Sequence, residues 1–145
     1  MAFKFRLETS LRLAKQELDM AQNLLAQQIR ILLELRNQSS KQALLLERAW
    51  QGQRTACREA PSSLGLWQKY AEQQKKELLE LNKKVEKQQK IVDEYRKELL
   101  ECRIKVEKYE RLKAKQKRLF YIEELRTEQK QLDEIAQTKG RILPI

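Results

Sequence analysis

The 145-residue chain is 36% charged and 6% aromatic, and it holds three Gly and two Pro. So few turn formers leave room only for a very small number of long helices. A fold of that kind buries a seam, which excludes an enclosed cavity or an active-site cleft, and the formal net charge of +10 raises the question of anionic partners.

The N-terminus alternates apolar and basic residues (Phe3, Lys4, Phe5, Arg6) and lacks the continuous apolar core of a signal peptide. The longest clear apolar run is Ala43-Leu44-Leu45-Leu46, far short of the ~20 residues that cross a bilayer. These features predict a cytoplasmic protein with no membrane insertion. Helix one is predicted over about 7–57, with Thr9 or Ser10 as a candidate N-cap. Its seam steps by four, then three: Leu7, Leu11, Ala14, Leu18, Ala21, Leu25, Gln28, Leu32, Leu35, Ser39, Gln42, Leu46, Ala49, Gln53, Ala56. That is the 3.5-residue repeat of a supercoiled helix. Leu13, Leu24, Ile29, Ile31, Leu33, Leu44 and Leu45 widen the stripe, through more burial or through an exposed contact face.

Gly52 weakens the end of this helix, and Glu59-Ala60-Pro61-Ser62-Ser63 stops it. The loop is predicted at about 58–63, with Ser62 or Ser63 capping helix two. Helix two is predicted over about 64–138, with a tail at 139–145. Gly140 sits where a left-handed residue ends a helix, and Pro144 lies beyond it. A second seam runs Ala71, Gln74, Leu78, Leu81, Val85, Gln88, Val92, Tyr95, Leu99, Cys102, Val106, Tyr109. Two long helices and one short loop predict an all-α fold, a single antiparallel two-helix coiled-coil hairpin. The seams set Ala56 against Trp67, Gln28 against Tyr95, Ala21 against Cys102 and Ala14 against Tyr109. Leu7 then lies level with about Gln116, and the rest of helix two overhangs by ~30 Å.

The overhang carries Leu119, Phe120, Tyr121, Ile122, Leu125, Leu132, Ile135 and Ala136. One reading folds Phe3 and Phe5 back over part of it; the other makes it a partner-binding helix. Before it, Arg103–Arg118 holds eight basic residues against two acidic ones. Three readings stand for this run: steering toward an acidic protein surface, a solvated face, or counterion-releasing contact with nucleic acid or anionic headgroups. The run lies along the paired end of an antiparallel hairpin rather than at a fork of parallel helices, which argues against DNA reading. The predicted steering charges are Arg111, Lys113, Lys115, Lys117 and Arg118.

Gln28 and Gln88 on seam positions are expected to fix register. Trp67 is expected to close the coiled coil against Ala56, and Tyr70, just off the seam, is the better contact candidate. Cys57 and Cys102 read as free thiols of a reducing compartment, too far apart along the helices to bridge. There is no His, no glycine-rich phosphate loop and no Gly-x-Ser-x-Gly, so neither catalytic residues, cofactor nor metal is expected, and the chain reads as a non-enzyme.

Three motifs carry a family resemblance: Phe3-x-Phe5-x-Leu7-x-x-x-Leu11, Trp67-x-x-Tyr70, and Gln131-Leu132-Asp133-Glu134-Ile135-Ala136. In this order and spacing the chain resembles the FliJ proteins of the bacterial flagellar type III export apparatus over nearly its whole length. The resemblance implies an antiparallel two-helix coiled coil similar to the central stalk subunit of rotary ATP synthases. It implies binding to the hexameric export ATPase FliI and promotion of its ring assembly. It also implies contact with the cytoplasmic part of the gate protein FlhA and handling of export chaperones, at the cytoplasmic face of the membrane at the flagellar base.

In one member of the family the FlhA contact is a partly apolar face in the turns after Trp-x-x-Tyr. Here those turns carry Gln73, Glu77, Glu80 and Lys84, so the face has rotated toward Tyr70, Gln74 and Leu78 or the contact differs. The ATPase contact is expected at the terminal end: Leu7, Leu11, Leu119, Ile122, Leu125, Leu132, Asp133, Ile135 and Ala136. Lone-helix apolar residues, the adjoining basic run and two of the three motifs meet there. The alternative from another class is a generic cytoplasmic coiled-coil scaffold or holding chaperone.

Overall fold

The computed structural model describes residues 2–142, and side chains through residue 140; the predicted role of Pro144 lies outside the described residues. Helix α1 spans Glu8–Glu59, a short 3-10 turn follows at Pro61–Ser63, and helix α2 spans Leu64–Ile142. The chain belongs to the all-α class, two long helices packed antiparallel. From residue 36 to residue 42 of α1 the cross-helix partners fall along α2: Arg36 with Gln89, Ser39 with Asn82, Gln42 with Gln74.

Local chemistry explains the element ends. The Leu7 carbonyl accepts from Leu11 N–H at 2.9 Å, and Phe5 accepts from Glu8 N–H at 3.2 Å. Leu7 therefore takes the N-cap position, and Thr9 and Ser10 lie inside the first turn. Pro61 opens the interhelical turn, where its missing N–H costs nothing. The Ser63 hydroxyl donates to the Ala60 carbonyl at 2.8 Å, so it closes that turn rather than accepting from the first N–H groups of α2. At the far end α2 continues through Gly140 to Ile142. No described glycine has a positive φ; the last turns are exposed, and no packing bends the chain out of the helix there.

Contacts divide the chain into two compact units, one of Asp19–Leu100 around the loop and one of Met1–Leu18 with Glu101–Ile145. In the loop unit Ala21, Leu32, Leu46, Ala49, Ala56, Ala71 and Val92 are buried, and every other seam residue there is buried or half-buried. Of the seven residues that widen the first stripe, Leu24, Ile31, Leu33, Leu44 and Leu45 stay exposed in this unit and Ile29 is half-buried; Leu13, in the terminal unit, is exposed.

Two glutamine rungs cross the seam of this unit. Gln42 Nε2 donates to the Gln74 backbone carbonyl at 3.1 Å and also to its side-chain oxygen. Gln88 Nε2 donates to the Gln28 carbonyl at 3.0 Å and to Gln28 Oε1 at 2.8 Å. Gln42, Gln74 and Gln88 are each 8% exposed, so each rung satisfies amides that water does not reach. The expected facing of Gln28 with Tyr95 is corrected: its bonded partner is Gln88. The seam pattern repeats every seven residues, or two turns, and polar pairing distinguishes alignments that differ by one repeat.

The sequence sets Trp67 against Ala56. The Trp67 ring lies over Gly52, one turn earlier on α1, where an added Cβ would come within 2.5 Å of its carbons. Gly52 lies inside α1, and its missing side chain is the seat of the indole.

The terminal unit has its own core of Phe5, Leu11, Ala14 and Val106, with Phe3, Leu7, Leu18 and Tyr109 packed against it. Across it run the ion pairs Glu8–Lys113 at 2.9 Å, Lys15–Glu110 at 3.7 Å and Glu17–Lys105 at 3.3 Å. All are exposed and screened by solvent, so each is worth little individually.

Two outcomes follow. Replacing Gln88 alone by Leu strands the Gln28 amide and should cost about 1–3 kcal/mol, whereas the Q28L/Q88L pair should melt at or above the native temperature in denaturant or thermal scans. Gly52→Ala should lose about 1–3 kcal/mol to overpacking against a helix gain of about 1. In a W67A background the same change should stabilise by about 1 kcal/mol, a sign reversal that a double-mutant cycle reads directly.

Candidate functional site

The terminal unit splits the predicted ATPase-contact residues into two groups. Leu11 is buried in the core and Leu7 packs against it, so both hold the unit together. Leu119, Ile122, Leu125, Leu132 and Ile135 are 39–65% exposed, and Ala136 and Asp133 are exposed as well. The Asp133 carboxylate accepts from Gln129 Nε2 at 3.4 Å.

Their placement around α2 follows from the helical period. The positions that continue the seam beyond Val106 and Tyr109 are Lys113, Gln116, Phe120, Glu123, Thr127, Lys130 and Glu134. They are polar except for Phe120, which is half-buried. Phe3 folds back onto it, ring centroids 5.6 Å apart, so the seam ends in an aromatic lid. The exposed residues Tyr121, Leu125, Leu132 and Ile135 follow a 4-7-3 spacing that puts them on one stripe. At ~100° per residue that stripe, with Ile122 and Ala136 at its edge, lies nearly opposite the seam. Leu119 falls outside it. Tyr121 belongs to the stripe and was absent from the expected contact set; its spacing to Leu125 and Leu132 was the available signal. The overhang is therefore not an unfinished seam awaiting more of α1, but a separate apolar face.

The predicted steering charges also divide. Lys113 is held by Glu8 at 2.9 Å, and Arg111 lies 3.8 Å from Glu107. Lys115, Lys117 and Arg118 form no ion pair among the described residues. The hydrogen bond from Lys113 holds the Glu8 carboxyl below its usual range; partial loss of hydration opposes it, and the charges of Lys113, Lys15 and Arg12 add to it.

In the loop unit Tyr70 is exposed and meets Trp67 edge to face at 6.1 Å. Gln74 is buried and bonded to Gln42, and Leu78 is half-buried. Of the three gate-contact candidates, Tyr70 is the one whose side chain stands clear of the seam. Leu45, Arg48, Ser63, Leu66, Trp67 and Tyr70 line one shallow groove on that side. Sequence reasoning missed it because it joins two segments of chain. Both cysteines are free, Cys57 exposed and Cys102 half-buried. Among the described residues no cluster of metal-ligating side chains occurs, and no helix is long and apolar enough to cross a membrane.

Two packed helices with apolar faces left open define a protein-interaction module of the helical coiled-coil class. The family model described as "Flagellar FliJ protein" matches residues 3–141. The chain belongs to the FliJ family, and it is a component of the flagellar protein export apparatus. No curated protein and no solved structure matches it.

The Glu8–Lys113 pair carries a pH signature. A carboxyl held low contributes stability that is complete above its usual range and fades as pH falls through the folded value. Glu8→Gln should therefore melt below the native chain at neutral pH and together with it in strong acid. A difference that persisted in acid would locate the effect in packing.

Proposed function

We propose that this chain couples the hexameric export ATPase FliI to the cytoplasmic part of the gate protein FlhA. In this reading it promotes ATPase ring assembly and the export of flagellar proteins, and it meets export chaperones while peripheral to the membrane at the flagellar base. The ATPase contact is the overhang of α2, with Leu119, Ile122, Leu125, Leu132, Asp133, Ile135 and Ala136, seated on the core that holds Leu7 and Leu11. The observation that carries this is the exposed stripe facing away from the seam. Its leucines and isoleucines gain ~1.5–3 kcal/mol each on full burial, and nothing among the described residues covers them. Arg111, Lys113, Lys115, Lys117 and Arg118 steer the approach, with the three unpaired cations contributing most to the long-range attraction. The gate contact centres on Tyr70, beside Gln74 and Leu78.

Truncation after Gln116 removes the overhang and the Phe3–Phe120 lid but spares Phe5, Leu11, Ala14 and Val106. The truncated protein should remain helical by circular dichroism and lose stimulation of the purified ATPase. The milder L125D/L132D variant, altered only at exposed sites, should melt like the native chain and bind the ATPase at least ~10-fold more weakly. Full stimulation by both would move the ATPase contact to the loop unit.

A further inference from the structure

The groove beside the loop is built by side chains that each stand one residue before the seam: Leu45 and Arg48 on α1, Leu66 and Tyr70 on α2, with Trp67 as its floor. Leu66 is 73% exposed and Leu45 is 37% exposed. Arg48 is the charged residue of the groove, and it forms no hydrogen bond or ion pair among the described residues. An apolar trough with one unpartnered guanidinium at its side is a site with a stated chemistry.

We infer that this groove binds a two-turn amphipathic helix of another protein, carrying two bulky apolar side chains three or four residues apart and one Asp or Glu directed at Arg48. Three observations select that occupant. The groove follows α2 from Ser63 to Tyr70, about 10 Å, the length of two helical turns. Its walls are helices whose backbone groups are already bonded internally, so an extended segment would find no ladder to join, whereas a helix brings its own backbone bonds. Arg48 offers a planar fork of donors that a carboxylate accepts in pairs. A second copy of this chain fits poorly. The apolar patch of these few side chains falls far short of the ~800 Å² per partner of a stable interface, and two-fold pairing on so short a groove brings Arg48 toward its own image.

The inference rests on the reading of Tyr70 as a contact residue, but not on the gate protein being the partner. It is tested by selecting phage-displayed 14-residue helical peptides, randomised on one face, against the full-length chain and against Arg48→Glu and Trp67→Ala variants. Clones enriched on the native chain should carry Leu, Phe or Met pairs at i,i+3 or i,i+4 with an acid one turn away. They should bind the Trp67→Ala protein at least ~10-fold more weakly, and selection on Arg48→Glu should exchange the acid for Lys or Arg. In a Trp50→Phe background the chosen peptide should shift Trp67 fluorescence. Clones without an acid, equal binding to Arg48→Glu, or no enrichment over the variants would overturn the inference. So would concentration-dependent dimerisation in light scattering that Trp67→Ala abolishes, which would give the groove to a second copy. Competition with the cytoplasmic part of the gate separates the two readings. Peptides that bind as expected but are not displaced leave the groove standing and remove the gate as its partner; no peptide enrichment while the gate still binds removes the groove alone.

Discussion

A seam only two side chains wide has to hold α1 to α2, and every other feature depends on that narrowness. A globular core restricts its residues from all directions. A seam restricts them from one, and it leaves the helices free to slide by a turn at small cost in apolar contact. The loop unit answers with polarity: amides of Gln42, Gln74 and Gln88, 8% exposed, find partners only in one alignment. Their bonds contribute modestly to net stability. Left unmade, they would cost more than the slide recovers in apolar burial. The Gly52–Trp67 contact sets the same alignment near the loop by shape, since the indole fits only where a side chain is missing.

A narrow seam also leaves much apolar surface uncovered. In the terminal unit the seam stops at Phe120 under Phe3, and the positions that would extend it are polar. The apolar residues of the overhang stand on the opposite face, so lengthening α1 would not cover them. In the loop unit the uncovered residues instead gather beside the seam, around Arg48. The first face is long and flanked by unpaired cations; the second is two turns long with a single cation. Faces that differ in length and charge suit different partners, which is what a component of the flagellar export apparatus needs if it is to meet more than one.

The charges fall into the same division of roles. Glu8, Lys15 and Glu17 meet Lys113, Glu110 and Lys105 in alternating sign across the terminal unit. Exposed pairs of this kind discriminate between alignments more than they stabilise. The cations left over, Lys115, Lys117 and Arg118, lie next to the apolar overhang, where their field acts on an approaching partner rather than on the fold.

The amino-acid pattern by itself determined the class, the two helices, the turn at Pro61 and the membership of each seam, because hydrophobic periodicity and turn chemistry are local. The family was legible for the same reason, in short motifs at fixed spacing. The exposed overhang was also legible, since Leu7 marks how far α1 can reach. Tertiary structure decided what a periodic pattern leaves degenerate. It bonded Gln28 to Gln88 rather than setting it against Tyr95, and it laid Trp67 over Gly52, because apolar periodicity alone does not fix the alignment and paired polar groups and steric gaps do. It assigned Leu7 and Leu11 to the core and left Leu125 and Leu132 in solvent. It also joined Leu45 and Arg48 to Leu66 and Tyr70 in one groove, since that juxtaposition exists only once the two helices lie side by side.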